Sequence, residues 1–342
     1  MGTSGEQSKH ALTRRKFLSS SSALGVASLL ALPRMAASEP SPETKRIRLT
    51  HTPAICLAPQ YLAEDLLRLE GFSEVEYVKL KDISSLDELA GDRADFAMWN
   101  AYAALPLLDA GKQAVVIGGI HAGCYQLFAK GAIRGIRDLK GKTIAVYSLG
   151  HGAHVLVASM LAYVGLNPGK DVHWVFGERA EDAVRLFESG KADAFIGFPP
   201  HPQELLAKKV GHVVLDTSRV RPWSQYFCCM LLANRRFSER YPVATKRALR
   251  AFLKAADICA QEPQRAARLM VDKGFEPRYE IAHDVLNGVS YRLWREANPE
   301  DTLRFYGLRL HEAGMIKTDP NRLIAQSTDW RFLNELKKEL KT

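Results

Sequence analysis

No segment of this sequence is long and apolar enough to cross a bilayer. Its one uncharged apolar run, Leu18 to Leu32, is short and rich in serine, whereas a spanning helix needs about 20 apolar residues. Cysteine is scarce. Cys56, Cys124, Cys228, Cys229 and Cys259 are odd in number and follow no disulfide-framework spacing, which excludes a disulfide-stapled module and leaves at least one thiol unpaired. Cys228 and Cys229 sit side by side in an apolar strand-like run and read as small hydrophobes. There is no Cys-x-x-Cys and no His-x-x-x-His, and His151 and His154 have no cysteine or carboxylate beside them, so no metal site is expected. Gly-x-Ser-x-Gly is missing, which removes the nucleophile elbow of a hydrolase. The phosphate loop Gly-x-x-x-x-Gly-Lys-Ser/Thr is missing too, so the chain does not hydrolyse ATP by that route. Lys and Arg are interspersed with Asp and Glu rather than gathered in a basic stripe with aromatics, which makes nucleic acid a poor partner.

What is present begins with an address. Thr13-Arg14-Arg15-Lys16-Phe17-Leu18 precedes the apolar run, and Ala36, Ala37 and Ser38 follow Pro33. Together these form the pattern of a twin-arginine export signal over residues 1–38, with cleavage after Ala37 or Ser38. That leader carries Lys9, Arg14, Arg15, Lys16 and Arg34 against Glu6, so its net +4 leaves +5 of the whole chain's +9. A mildly basic exterior suits a periplasmic protein facing anionic lipid or anionic solutes. Cargo of this route folds in the reducing cytoplasm, so free buried thiols are compatible with that destination.

The remaining residues, about 300, exceed one ordinary core, and two lobes are expected. Arg46 to Thr52 reads as a strand, followed after Pro53 by a helix from about Leu57 to Leu69 with Leu62, Leu66 and Leu69 on one face. Strand 74–80 leads to a short helix near Leu86 to Leu89. Strand Ala94 to Met98 leaves Trp99 and Asn100 at the turn into a helix, Ala101 to Leu108, and strand Ala114 to Ile120 ends at His121. A second series follows, with strands 142–147, 172–176, 192–197 and 212–215 and helices 152–164, 180–188 and 201–208. This alternation predicts an α/β fold of parallel sheets with a ligand crevice at the carboxyl ends of the strands. Gly123 to Arg134 and Ser218 to Trp223 are the expected crossings between lobes, and Tyr226 to Ala233 is a return strand. The tail is helical. Pro242 opens a helix striped by Val243, Leu249, Phe252, Leu253 and Ala256. Asp329 caps a last helix through Leu340, with Leu333, Leu336 and Leu340 inside and Lys337, Lys338 and Lys341 outside.

In the second series, Gly150-His151-Gly152-Ala153-His154 joins strand to helix. Such a turn points backbone N–H groups and the positive helix end outward, ready for an anion, a carboxylate or a polar ring edge. It also fits an ordinary strand-to-helix turn that needs glycine.

Several longer stretches carry a family resemblance: Asp138-Leu139-Lys140-Gly141-Lys142-Thr143-Ile144-Ala145-Val146, the glycine turn, Leu161-Ala162-Tyr163-Val164-Gly165-Leu166 with Asp171-Val172, and Leu186-Phe187-Glu188-Ser189-Gly190-Lys191-Ala192-Asp193-Ala194-Phe195. In this order and spacing, the chain from about Ile47 onward resembles the nitrate, sulfonate and taurine type of periplasmic solute-binding protein of ABC importers. The resemblance implies a type II binding fold: a first lobe over 44–131, a second over 132–222, and a return strand with C-terminal helices over 223–342. It implies a monomer that closes on a small solute and docks on a permease driven by a separate ATPase, without a cofactor and without being an enzyme. Strand ends then nominate Thr52, Trp99, Asn100 and His121 from the first lobe, Gly150, His151, Gly152, Glu178 and Phe198 from the second, and Trp223 and Tyr226 near the hinge. Trp99, Phe198, Trp223 and Tyr226 are candidate flat walls, and Asn100 and His121 candidate hydrogen-bonding groups.

One departure bears on the solute. Where much of this family has a serine after the glycine of the turn, this chain has His151, whose imidazole offers one donor and one acceptor. That tilts the expectation from an oxyanion toward a planar or partly apolar organic solute, such as a thiamine pyrimidine precursor. The chain is also similar to the thiamine-pyrimidine synthases, which use pyridoxal phosphate on a lysine and sacrifice a nearby histidine. Here Phe96 and Asn100 stand where those two would fall, although Phe227-Cys228-Cys229 echoes part of that family's cysteine-rich strand. A synthase-like enzyme and a ligand-sensing module for a receptor are the alternatives to transport.

Overall fold

Two five-stranded sheets organise the protein. The computed structural model describes residues 1–2, 39–82, 84–177 and 180–340; the expected export signal, Glu178 and Lys341 lie outside them. From Ser41 onward the chain forms one compact unit. The first sheet contains β1 (Arg46–His51), β2 (Glu74–Lys79), β3 (Phe96–Asn100) and β4 (Ala114–Ala122). The second contains β5 (Gln126–Ala129), β6 (Thr143–Ala145), β7 (His173–Val175), β8 (Ala194–Gly197) and β9 (His212–Asp216), after which β10 (Phe227–Asn234) returns to the first. Their orders are β2-β1-β3-β10-β4 and β7-β6-β8-β5-β9. In each sheet the strand just past a crossing, β10 or β5, inserts antiparallel beside its neighbours, while β1–β2, β1–β3, β6–β7 and β6–β8 pair parallel. The α/β type II architecture follows from this repeat.

The core sits where β4 and β10 pair. Every residue of both strands is buried, and such strands, covered on both faces, read as continuous apolar runs. Gly119 accommodates the Phe227 ring, whose atoms would lie 2.6 Å from a Cβ there, and Gly118 does the same for Leu249. Leu249 belongs to the helix Pro242–Gln261, whose Leu249, Phe252, Leu253 and Ala256 are fully buried where it packs on the sheet and the helix Ala58–Leu69. Charge is handled at the edges. Asp95 receives the Arg48 guanidinium at 2.6 Å and the Arg48 N–H at 2.7 Å, and Glu70 takes Arg250 at 2.9 Å.

Several boundaries differ from the sequence expectation. β3 extends through Trp99 and Asn100, and β4 through His121 and Ala122, because β10 pairs with both and continues their ladders: Cys229 faces Asn100 on one side and His121 on the other. Leu69 leaves its expected face and is 83 % exposed, while Tyr61 and Leu67 cover the core. Val243 is only half-buried. The last helix, Arg331–Glu339, starts after Trp330, where Asp329 accepts the Arg331 N–H at 3.3 Å without being the cap residue. Lys337 is half-buried and donates to the Ala297 carbonyl at 3.2 Å rather than facing water. Among the described residues, no helix is long and apolar enough to cross a membrane.

The two sheets are joined by two crossing segments, and these touch. Thr217 Oγ1 accepts the N–H groups of Cys124 (3.2 Å) and Tyr125 (3.0 Å) and donates to the Tyr125 carbonyl (2.9 Å). Gly123, at φ +56°, lies so near Ser218 that a Cβ would overlap its backbone. Gly131, at φ +62°, has nothing within 4 Å of a Cβ. Gly131→Ala is therefore expected to cost only the left-handed backbone penalty, about 1–2 kcal/mol. Gly123→Ala adds overpacking of about 1–3 kcal/mol. Urea unfolding followed by circular dichroism checks this; equal losses in the two variants would show that the crossings do not depend on that contact.

Candidate functional site

The carboxyl ends of β1 and β3 face those of β6 and β8 across a cleft with a cavity volume of about 190 Å³, which suits a solute smaller than the drug-sized ligands of larger pockets. Thr52 enters from just beyond β1, Trp99 and Asn100 from the end of β3, Gly150, His151 and Gly152 from the turn after β6, and Phe198 from just beyond β8. The fold thus brings together seven of the residues nominated from sequence.

Three others stand elsewhere. His121 does not line the cleft: it is wholly buried inside β4, edge-on to Tyr291 with ring centroids 5.4 Å apart. Trp223 is 2 % exposed and packs on Tyr163 and Phe305, and Tyr226 stacks on Phe305 at 4.2 Å, so both serve an aromatic cluster under the return crossing. Glu178 is outside the described residues. Cleft residues that the strand-end rule missed include Cys56, Leu57, Ser84, Met98, Tyr125 and Cys229. Tyr125 was within reach of sequence reasoning as an aromatic inside the expected outward crossing. Cys56 and Leu57 lie in a one-turn helix, Ile55–Leu57, that no periodicity marks.

Aromatic rings make the walls. Phe198 meets Tyr125 at 5.6 Å and Tyr147 at 5.3 Å, both edge-on, and lies nearly parallel to the His151 ring at 6.3 Å. Trp99 faces them from the other sheet and is 7 % exposed. Burial pushes the Tyr125 and Tyr147 phenols well above their ordinary range, so both stay protonated. Two polar atoms in the cleft residues have no hydrogen-bond partner within the protein: Trp99 Nε1 and Thr52 Oγ1. Such buried orphans call for a partner.

The glycine turn is spent on itself. His151 is the N-cap of the helix Gly152–Tyr163, and its Nδ1 accepts the Ala153 N–H at 3.1 Å. His154 Nδ1 accepts the Gly150 N–H, also at 3.1 Å. Two of the N–H groups that an anion would have used are thus taken by imidazoles, which narrows the turn as an anion receptor. Both rings must be unprotonated at Nδ1 to accept these bonds. Burial holds both in that form, lowering each pKa to about 4. The charged group that acts on His151 is a carboxylate, Asp82.

The two sides already meet. A Cβ on Gly152 would overlap Asn100 Oδ1 and lie 3.2 Å from the Tyr125 hydroxyl, and the Ser84 and Ser148 hydroxyls hydrogen-bond at 3.1 Å. Asn100 Nδ2 in turn donates to the Cys229 sulfur at 3.5 Å. Contact between the two sides therefore rests on small residues in both halves.

Residues 41–271 match the model of the NMT1-like family. The fold is similar to the nitrate-binding protein NrtA of Synechocystis PCC 6803, with TM-score 0.72 and 15% identity over 88% of this chain and 90% of that one. It is also similar to the alkanesulfonate-binding protein SsuA of Xanthomonas axonopodis pv. citri bound to MOPS, with TM-score 0.66 and 16% identity over 86% of this chain and 100% of that one. An enzyme shares it as well, the desulfurization enzyme DSZB, with TM-score 0.59 and 16% identity over 87% and 99%. At such identities the likeness establishes the fold alone. No curated protein matches the chain.

The buried neutral histidines set a pH dependence. Unfolded, both would titrate near the usual 6.5; folded, near 4. The stability they contribute is complete above about pH 6.5 and is lost as pH falls toward 4, because the unfolded chain takes up protons that the native chain refuses. For His151 the full span is worth about 3 kcal/mol. His151→Asn, which keeps a capping acceptor, is expected to flatten the fall in urea midpoint between pH 6.5 and 5. An unchanged slope would mean that His151 is not held neutral.

Proposed function

The chain belongs to the NMT1-like family, and from that premise we propose that it is a periplasmic solute-binding protein whose lobes close on an uncharged, flat organic solute carrying at least one hydrogen-bond acceptor. The observation that carries this reading is the pair of orphaned polar atoms, Trp99 Nε1 and Thr52 Oγ1, on residues that line a cleft walled by Trp99, Tyr125 and Phe198; both atoms are closed off from solvent here, so their side chains shift to meet an entering solute. An indole N–H only donates, so the solute must accept; a hydroxyl can do either. The rings favour a flat partner, and His151, neutral and already engaged at Nδ1, gives an anion no positive charge. A heteroaromatic such as an aminopyrimidine meets these conditions better than nitrate, taurine or an alkanesulfonate.

Export by the twin-arginine route, action as a monomer, and delivery to an ABC permease with its ATPase subunit complete the proposal. A binding role is favoured over a synthase role because Phe96, at the place of the synthase lysine, is buried in β3 against Phe237. No lysine lines the cleft among the described residues.

Thermal-shift measurements with aminopyrimidines, nitrate, taurine and alkanesulfonates test the reading. A closing ligand at about a hundred times its Kd stabilises the fold by about 2.7 kcal/mol. A raised Tm is expected with an uncharged heterocycle and none with the anions. Gly152→Ala, which forces Asn100 away, is expected to weaken that ligand at least tenfold, about 1.4 kcal/mol. Stabilisation by an alkanesulfonate or nitrate with no response to heterocycles would overturn the proposal.

A further inference from the structure

Beneath the cleft floor lies a group of side chains that solute binding does not use. His121 is fully buried, and neither of its ring nitrogens has a hydrogen-bond partner. A buried imidazole without a partner is costly. The groups against it are thiols: His121, Cys124 and Cys228 each offer a ligand atom, and the three atoms lie within 4.8 Å of one another. Cys124 Sγ is 3.1 Å from Cys228 Sγ. Cys56 lies against Cys124 and His121 and is buried as well.

We propose that Cys56, Cys124, Cys228 and His121 form a closed site for one thiophilic metal ion, zinc in the first instance. Three sulfurs and one imidazole nitrogen are a standard structural zinc set, with Zn–S near 2.3 Å and Zn–N near 2.0–2.1 Å. In a tetrahedral site the ligand atoms stand somewhat under 4 Å apart on those bond lengths, so the Cys124 and Cys228 sulfurs part by less than about 1 Å to admit the ion. The ligands come from four places: the turn Ile55–Leu57, β4, the outward crossing and β10. An ion there would bind the first sheet to the crossing. It also gives one His121 ring nitrogen a partner where neither has one within hydrogen-bond geometry.

The surroundings fit thiolates. The Tyr102 hydroxyl lies 3.4 Å from Cys228 Sγ, and Asn100 Nδ2 donates to the same sulfur at 3.7 Å. Groups that donate to coordinating sulfurs orient and stabilise them. Cys56 and Cys124 line the cleft, which provides the route of entry. On binding, each ligating thiol loses its proton to solvent and keeps the electron pair for the metal; nothing is oxidised or reduced.

Fully reduced protein is titrated with Co²⁺ and separately with Zn²⁺. The expected result is one ion per chain, with thiolate-to-cobalt charge-transfer absorption in the near ultraviolet and the visible ligand-field bands of a tetrahedral site, displaced by zinc. Cys228→Ser and His121→Asn, each shown to be folded by circular dichroism, are expected to weaken cobalt binding at least about tenfold. Cys259→Ser removes a buried thiol from the helix Pro242–Gln261 and is expected to leave binding unchanged. The proposal is overturned if reduced protein takes up neither ion, if Cys228→Ser and His121→Asn bind cobalt as the unaltered chain does, or if the isolated protein carries a Cys124–Cys228 disulfide and binds no metal after reduction.

Discussion

The close approach of the two crossing segments is the constraint on which the rest depends. Thr217 gathers both sides through three hydrogen bonds, and Gly123 brings its backbone against Ser218 where no side chain fits. A sheet hangs from either side of this junction. β5 enters its sheet directly from the junction and β10 after residues 219–226, and the cleft lies between the carboxyl ends of β1 and β3 on one side and of β6 and β8 on the other. The crossing segments, residues 123–125 and 217–226, are the covalent links between the sheets, so any motion of one sheet against the other must pivot on them.

That geometry also decides the chemistry of the cleft. Placing His151 at a buried helix start makes desolvation its dominant influence, so the ring stays neutral and turns inward to cap the helix. His154 does the same for Gly150. Two N–H groups of a turn that would serve an anion are thereby satisfied internally, and what the cleft offers is mainly aromatic surface, with Trp99 Nε1 buried and unpartnered at its wall. The neutral character of the site is thus a consequence of where the histidines are folded rather than of their identity.

Most of the architecture was legible in the sequence because alternation and helical periodicity are local signals. The glycine turn, the order of the two strand series and the return strand all stand close to where the pattern puts them. What failed was the position of strand ends. Pairing with β10 carries β4 through His121, so a residue nominated for the cleft is instead in the core, and Trp223 and Tyr226 were drawn away by Phe305, over 75 residues distant in sequence. The thiol and imidazole group was invisible for a related reason: its members come from residues 56, 121, 124 and 228, with no spacing that a motif could record. The capping role of His151, by contrast, was in principle readable, since it immediately precedes the helix that it caps.

The proposed solute is an uncharged, acceptor-bearing ring held against Trp99. Titration of an aminopyrimidine and of an alkanesulfonate, followed by intrinsic tryptophan fluorescence in the unaltered chain and in Trp99→Phe, tests it most directly. The heterocycle is expected to bind saturably and to lose at least tenfold in affinity when the indole N–H is removed, with no saturable response to the sulfonate. Saturable binding of the sulfonate, with the same affinity in Trp99→Phe, would contradict it.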